Sequence, residues 1–493
     1  MRGKRWVAPA VAVVVLVIAI TLAAALRPKE TIRPPAVAGT FYPASREELT
    51  QAVETYLEAA KPEKLEHIRG LVAPHAGYVY SGPTAAYGYK AVTGRRYKTV
   101  IIMGPSHQYP LRGASIPNVV GYETPLGVVR VSPLAATLQK NKTFTDVPAA
   151  HKKEHSIEVQ LPFLQTALGE FELVPILIGD ADSEKIAEAL LEHLDDETLL
   201  VASSDLSHYL PYETAKTIDG FTVRTITEGD ADLIELCQAC GKTPIAVLLR
   251  IAREKGWHPH ELDSRNSGDT AGPKSEVVGY CSVAFTEETE PFVPPQRSHE
   301  PLDEAAQQKL LELARASLAA AVKGKAAPEP DVEALPEAVR QYGGAFVTLT
   351  KNRQLRGCIG HILPYAPLYE TVIECAGSAA LHDHRFLPVK ARELEAIHIE
   401  VSVLTVPERV EASSPEALLE KLVPGKDGVY LVVGPYASTY LPQVWEQLPE
   451  KEAFMSELSR KAGLGGDAWQ RPAARVYVYH AQVFEEARDE PTE

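Results

Sequence analysis

The sequence predicts two globular units behind an apolar N-terminal segment, the first an α/β domain whose central strands are buried on both faces. Three observations predict this. Short continuous apolar runs alternate with stretches of helical spacing, a proline-bearing spacer at about Glu287 to Glu304 interrupts the core-forming pattern, and Trp6 to Leu26 carries no charge. At 493 residues the chain is too long for one ordinary core. Its composition, 45% hydrophobic and 23% charged, is that of a folded globular protein. A formal charge of −15 offers no basic face to neutralise phosphates, so nucleic-acid binding is not expected. The five cysteines, Cys237, Cys240, Cys281, Cys358 and Cys375, have no spacing typical of a disulfide framework.

The expected organisation begins with a basic tail over 1–5 and a transmembrane helix or signal anchor over 6–26, followed by a linker over 27–35. The apolar run covers about 21 residues, which is enough to cross a bilayer and exceeds the ~7–15 of a signal-peptide core. Ala23-Ala24-Ala25 offers a cleavage site as the alternative. Arg2, Lys4 and Arg5 on one flank balance Arg27, Lys29 and Arg33 on the other. The location taken is a single-pass membrane protein with its soluble domains outside the cytoplasm. Reduced thiols sit uneasily with that location.

The first unit spans 36–287. Ser45 and Glu48 read as a capping box ahead of Leu49, Val53, Leu57 and Ala60, an apolar stripe at helical spacing. The strand-like runs are RGLVAPH, KTVIIMGPSH, ELVPILIGD, TLLVASSDLSH and VVGYCSVAF, with Glu184 to Leu194 helical between the third and fourth.

His75, His107, Asp205 and His208 each lie just past the C-terminal end of such a run. Ligands of open α/β sheets bind outside the carboxyl ends of strands, so these loops are expected to share a pocket. Imidazoles suit iron, copper and zinc, and a thiolate or carboxylate completes such a site. Cys237 and Cys240 are candidates for the thiolate; their CxxC spacing has redox and zinc readings, and a packing reading as helix-face thiols with Gly241 as a C-cap. His208 is a candidate proton donor or acceptor, and Asp205 orients a ligand or His208 or else caps its loop. His155, beside Glu154, is a further acid–base candidate, with a helix-start pair as the alternative.

The stretches AVAGTFYP, APHAGYVYSG, GPSH, EHSIEVQLPFLQ, SSDLSHY and CGKTPIAVLL together resemble the Memo family (mediator of cell motility). That resemblance implies a redox-active metal held by two histidines and a cysteine, which fall on His75, His107 and Cys240, with Asp205 and His208 lining the pocket. It also implies a fold like the class III extradiol dioxygenases, which hold ferrous iron with two histidines and a carboxylate. Iron is therefore the favoured divalent metal, with copper or zinc as alternatives. The implied function is a non-haem iron redox or oxygenase-like enzyme acting on a small substrate, aromatic by the dioxygenase likeness. A non-catalytic binding module and a zinc-dependent hydrolase are the competing readings.

A linker over 288–301 leads to the second unit, 302–486, and a tail over 487–493. Leu302 to Lys323 is helical in pattern, and GGAFVTLTKNRQLRGCIGHILP reads as two strands around a charged turn. Arg356, two residues before Cys358, is placed to lower that thiol's pKa, so both are candidate site residues beside the packing reading of the cysteine. His382, Asp383 and His384 read as a capping or surface cluster. RGCIGHILP, SAALHDHRFLPV, IEVSVLTVPE and ASTYLPQVW resemble the AMMECR domain, which implies an α+β fold. The two likenesses resemble the A and B components of the AmmeMemoRadiSam system joined in one chain. A separate radical S-adenosylmethionine protein is the implied partner, since no CxxxCxxC motif is present.

Overall fold

The computed structural model describes residues 31–295, 300–434, 436–471 and 474–487. The expected membrane segment over 6–26 lies outside these residues; among those described, no helix is long and apolar enough to cross a membrane.

Five strands form the centre of the first domain: β1 (Ile68–Ala73), β2 (Thr99–Pro105), β3 (Glu172–Ile178), β4 (Thr198–Ser203) and β5 (Val277–Thr286). They lie in the order β3, β2, β4, β1, β5; the first four are mutually parallel and β5 runs antiparallel to β1. The sheet is therefore mixed, with antiparallel pairs on both flanks of a parallel centre, which the expected α/β class did not specify. Alternation divides each strand between two cores. Val72, Ile101, Met103, Val174 and Leu200 face one, and Leu71, Ile102, Leu173 and Val201 face the other. Fully burying each such side chain contributes about 1.5–3 kcal/mol, which is why these runs are continuously apolar.

Three helices matter for the site: α1 (Tyr78–Val92), α2 (Tyr212–Thr227) and α3 (Lys242–Lys255). The expected early helix is present as Arg46–Ala59, with Leu49, Val53 and Leu57 buried and Ser45 accepting from the Glu48 amide at 3.4 Å. The helix read at Glu184 to Leu194 runs over Ser183–Leu191. Gly241 does not end a helix, as the packing reading of the CxxC pair supposed. It precedes α3, where a Cβ would stand 2.4 Å from the Ser203 carbonyl oxygen and 2.6 Å from Ser204 Cβ. Only glycine lets this segment approach the end of β4 so closely.

The second domain holds two antiparallel four-stranded sheets among the described residues. Helices α4 (Glu304–Val322) and α5 (Leu368–Leu381) share one core with the sheet formed by β6 (Gly344–Lys351), β7 (Gln354–His361), β8 (Ile397–Leu404) and a strand at Ala481–Glu485. This is the expected α+β arrangement. Asn352 and Arg353 turn the β6–β7 hairpin with φ of 52° and 61°, matching the left-handed conformation of a type I′ turn.

The sequence placed Arg356 beside Cys358, and the structure corrects this. The register slips between Leu349–Gly357 and Thr350–Leu355, leaving Arg356 unpaired in a bulge. Its guanidinium instead lies 3.3 Å from Glu393. Cys358 has Arg385 at its carbonyl (3.1 Å) and Thr348 donating to its sulfur (3.4 Å), and burial pushes its thiol pKa up against those two influences. Asp383 of the His-Asp-His cluster is a structural cap: its carboxylate accepts from the Cys358 amide at 2.9 Å and the Arg385 amide at 3.1 Å.

One buried ion pair ties the start of the first domain to the loop that carries the site. Arg33 Nη1 meets Glu158 Oε2 at 2.7 Å, with the two side chains 6% and 0% exposed. Arg33 also donates to the carbonyls of His151 and Glu154, while Glu158 accepts from the Ala36 and Val37 amides and the Tyr42 hydroxyl. Breaking one side of such a pair strands a buried charge. Arg33→Ala is expected to lower first-domain stability by about 3–5 kcal/mol, read as a shift in the urea unfolding transition; a shift too small to resolve would show that the pair is dispensable.

Candidate metal centre

Because β2, β4 and β1 are adjacent and parallel, their carboxyl ends open onto one place. His107 follows β2, Ser203 ends β4 with Asp205 just beyond, and His75 follows β1. A fourth element, the loop from Lys152 to Ile157, crosses these ends and supplies His155. One donor nitrogen from each of His75, His107 and His155 lies within 4.8 Å of the others, a separation that one ion can bridge. The ring centroids are 5.2 Å apart for His75 and His107, 5.5 Å for His75 and His155, and 4.8 Å for His107 and His155.

Hydrogen-bond bookkeeping sets which nitrogen of each ring carries a lone pair. Ser203 Oγ donates its one proton to the Ser156 carbonyl at 2.6 Å and accepts from Gln160 Nε2 at 2.7 Å. Its remaining lone pair must accept from His75 Nδ1 at 2.8 Å, so His75 Nε2 is the free donor. Glu154 does the same for His107, its Oε1 accepting from Nδ1 at 3.0 Å, and the same oxygen lies 3.3 Å from His155 Nδ1. The same carboxylate accepts from the backbone amides of His107 (2.6 Å), His155 (2.9 Å) and Ser156 (3.0 Å). Burial opposes its ionisation, but the His107 ring and these amides outweigh that and hold its carboxyl well below the usual range. Carboxylate–histidine pairing of this kind is how proteins aim metal-ligating imidazoles.

The electrostatics fit a cation. Burial, and then the neighbouring His107 and His155, push the His75 pKa down; burial likewise lowers His155. A neutral imidazole is the form that binds a metal. The donor set therefore suits a first-row divalent metal, and nothing in it selects among iron, copper and zinc.

The remaining site candidates fall around this cluster. Cys240 touches its His75 corner, with Sγ 3.3 Å from His75 Nε2 and accepting from the Asp205 amide at 3.2 Å. Burial, and then Asp205, push that thiol's pKa up, a preference that a bound cation would reverse. Cys237 faces elsewhere, towards Thr225 Oγ1 and the Leu233 carbonyl, and burial pushes its pKa up to about 12. The CxxC thiols are thus unbridged and in separate surroundings. Asp205 Oδ1 accepts from the His75 amide at 2.7 Å and pins one strand end to the next; burial raises its pKa to about 6 against the hydrogen bonds it receives. His208 is solvent-exposed near the cluster and lies on the short strand His208–Leu210 paired with β5. Arg356 and Cys358 belong to the second domain and are not part of this cluster.

The family comparisons match this division. A family model described as Memo-like protein matches residues 33–284, and a second, AMMECR1, matches 311–484. The chain belongs to the Memo-like protein family. In it a Memo-like domain is fused to an AMMECR1 domain. A MEMO1 family protein of Aeropyrum pernix is 39% identical over 277 residues, covering 51% of this chain and 99% of that protein. The MEMO1 family protein TV1383 of Thermoplasma volcanium is 39% identical over 264 residues, covering 51% of this chain and 97% of that protein. Those relatives therefore match about half of the present chain while being covered almost whole. Among solved structures, the uncharacterized protein PH0010 from Pyrococcus horikoshii is 36% identical with a TM-score of 0.36, covering 38% of this chain and 93% of that one.

Sequence reasoning named each histidine of the Memo-like cluster, but gave His155 a role in proton transfer rather than a place among the converging donors. It missed Ser203 and Gln160, and it did not give Glu154 its hold on two rings. The signal for Glu154 and Gln160 lay in EHSIEVQ, where polar residues outnumber apolar ones inside a run that is almost wholly buried. Glu154→Gln is expected to weaken zinc or ferrous iron binding ~10–100-fold with the fold retained, measured by calorimetric titration; unchanged affinity would remove Glu154 from the site.

Proposed function

We propose that the Memo-like domain is a metal-dependent enzyme, and specifically a non-haem iron redox or oxygenase-like enzyme acting on a small, aromatic substrate. The observation that carries the proposal is the convergence of three imidazoles at the carboxyl ends of adjacent strands, two of them aimed by hydrogen bonds at Nδ1. His75, His107 and His155 would hold the metal, with Cys240 at the His75 side. A bound iron would supply Lewis acidity and electron exchange.

The chain's own residues set the stage for that chemistry. Ser203 and Glu154 keep the Nδ1 protons in place and aim the rings. The His75 ring is sealed from water while His107 is partly open, so substrate approaches from the His107 side. His208, exposed near that opening, accepts or returns a proton at its imidazole. Asp205 fixes the backbone of His75 rather than facing substrate directly. The likeness of the Memo-family fold to class III extradiol dioxygenases supports iron and an aromatic substrate.

A zinc-dependent hydrolase is the second reading, favoured by one observation: three converging imidazoles with an open side are also a hydrolytic zinc donor set. We further propose, on the sequence alone, that residues 6–26 anchor the protein in a membrane with its domains outside the cytoplasm. A separate radical S-adenosylmethionine protein is the proposed partner.

The test is oxygen consumption by full-length protein loaded anaerobically with ferrous iron and offered a panel of catechols. Uptake that is lost in His107→Ala is expected. Stoichiometric iron with no uptake contradicts the oxygenase reading; ester hydrolysis by the zinc-loaded protein would then favour the hydrolase, and tight binding of an unchanged ligand would favour a binding module.

A further inference from the structure

The second domain reaches the first at two places. On one side, the Arg224 guanidinium of α2 lies 3.4 Å over the Tyr342 ring and donates to the Pro364 carbonyl at 2.5 Å, while Phe221 meets Tyr365 edge-on at 5.2 Å. Leu363 of the second domain is buried within the first domain's core. This contact combines apolar and aromatic packing with a cation–π contact and a hydrogen bond from Arg224.

The other place is electrostatic. Glu235, on the short turn Leu233–Leu236 of the first domain, is 3% exposed. Its Oε1 accepts from Ser183 Oγ at 3.3 Å, but its Oε2 is buried and receives no hydrogen bond. The charged groups nearest that oxygen come from the second domain: Arg475 Nε at 3.2 Å and Arg409 Nη1 at 4.0 Å. A buried carboxylate oxygen without a hydrogen bond is costly unless a charge balances it. Here the two nearest balancing charges belong to a different domain, with Lys242 and Arg250 of the first domain farther from that oxygen.

The turn that carries Glu235 runs directly into the segment carrying Cys237 and Cys240. Cys237 packs back on Thr225 of α2, the same helix that carries Phe221 and Arg224. Cys240 then sits against His75, in a gap that admits only glycine at the next position. Both contacts with the second domain therefore grip the elements that hold this segment.

We propose that the AMMECR1 domain is an intramolecular positioning partner of the Memo-like site: Arg409 and Arg475 neutralise the buried Glu235 carboxylate, whose charge without them would draw its turn towards solvent and unseat the Cys237–Cys240 segment from His75. These arginines touch neither substrate nor metal and act through Glu235. The proposal concerns the same site as the metal reading but does not need a metal to be bound, so its test is run on metal-free protein.

The experiment follows alkylation of Cys240 by iodoacetamide, quantified on the Cys240 peptide by mass spectrometry, in full-length protein. R409Q/R475Q is expected to speed alkylation at Cys240 at least tenfold while Cys281, deep in the sheet, stays protected. Adding E235Q, which removes the unbalanced charge, is expected to restore slow alkylation, a rescue that general loosening would not show. Should R409Q/R475Q fail to fold, R475Q alone is read in the same way against R475Q/E235Q. A Cys240 rate equal to wild type, or a faster rate that E235Q does not reverse, overturns the proposal. Loss of metal binding in wild type would sink the metal reading and leave this result standing.

Discussion

Glu154 is the constraint on which the site depends. One buried carboxylate accepts four backbone amides and faces the Nδ1 atoms of two imidazoles, so the conformation of its loop and the placement of His107 and His155 are fixed together. Such a group is stable in a protein interior only when its lone pairs are filled. Here the filling partners are the residues whose placement matters chemically. Cost and function are met by the same contacts.

Around that point, polar pairs are stacked in layers against an apolar sheet. Gln160 donates to Ser203, Ser203 receives His75, and the buried pair of Arg33 and Glu158 braces the loop behind. The interior has a low effective dielectric, so each partner is held more firmly than it would be at the surface, and each vacancy would cost more. The result is a rigid seat for three rings on a scaffold whose strands contribute mainly hydrophobic burial. Rigidity of this kind is what keeps donors aimed at one position.

How much of this was legible in the sequence follows from how local each signal is. Continuous apolar runs ending in His75, His107 and the Asp205 loop disclosed the strands and the shared edge, because burial on both faces writes itself into composition. The antiparallel β5 was not distinguishable, since a strand buried on both faces reads alike in either direction. The role of His155 was obscured because its loop crosses strand ends from a distance that no spacing encodes. Arg356 was misplaced for a different reason: alternation predicts a shared face with Cys358, and a single bulge residue cancels that prediction. Gly241 was read as the end of a helix when its service is to let two segments touch.

The fusion adds a second layer of constraint that relatives matching only the first half do not carry in the matched region. Whatever the second domain contributes, the chemistry rests on three imidazoles sharing one ion. The most direct measurement is an anomalous-difference map from crystals of the full chain grown with ferrous iron or zinc. A single peak bonded to His75, His107 and His155 at about 2.0–2.1 Å is the expected result; a peak held by other residues, or none at saturating metal, contradicts it.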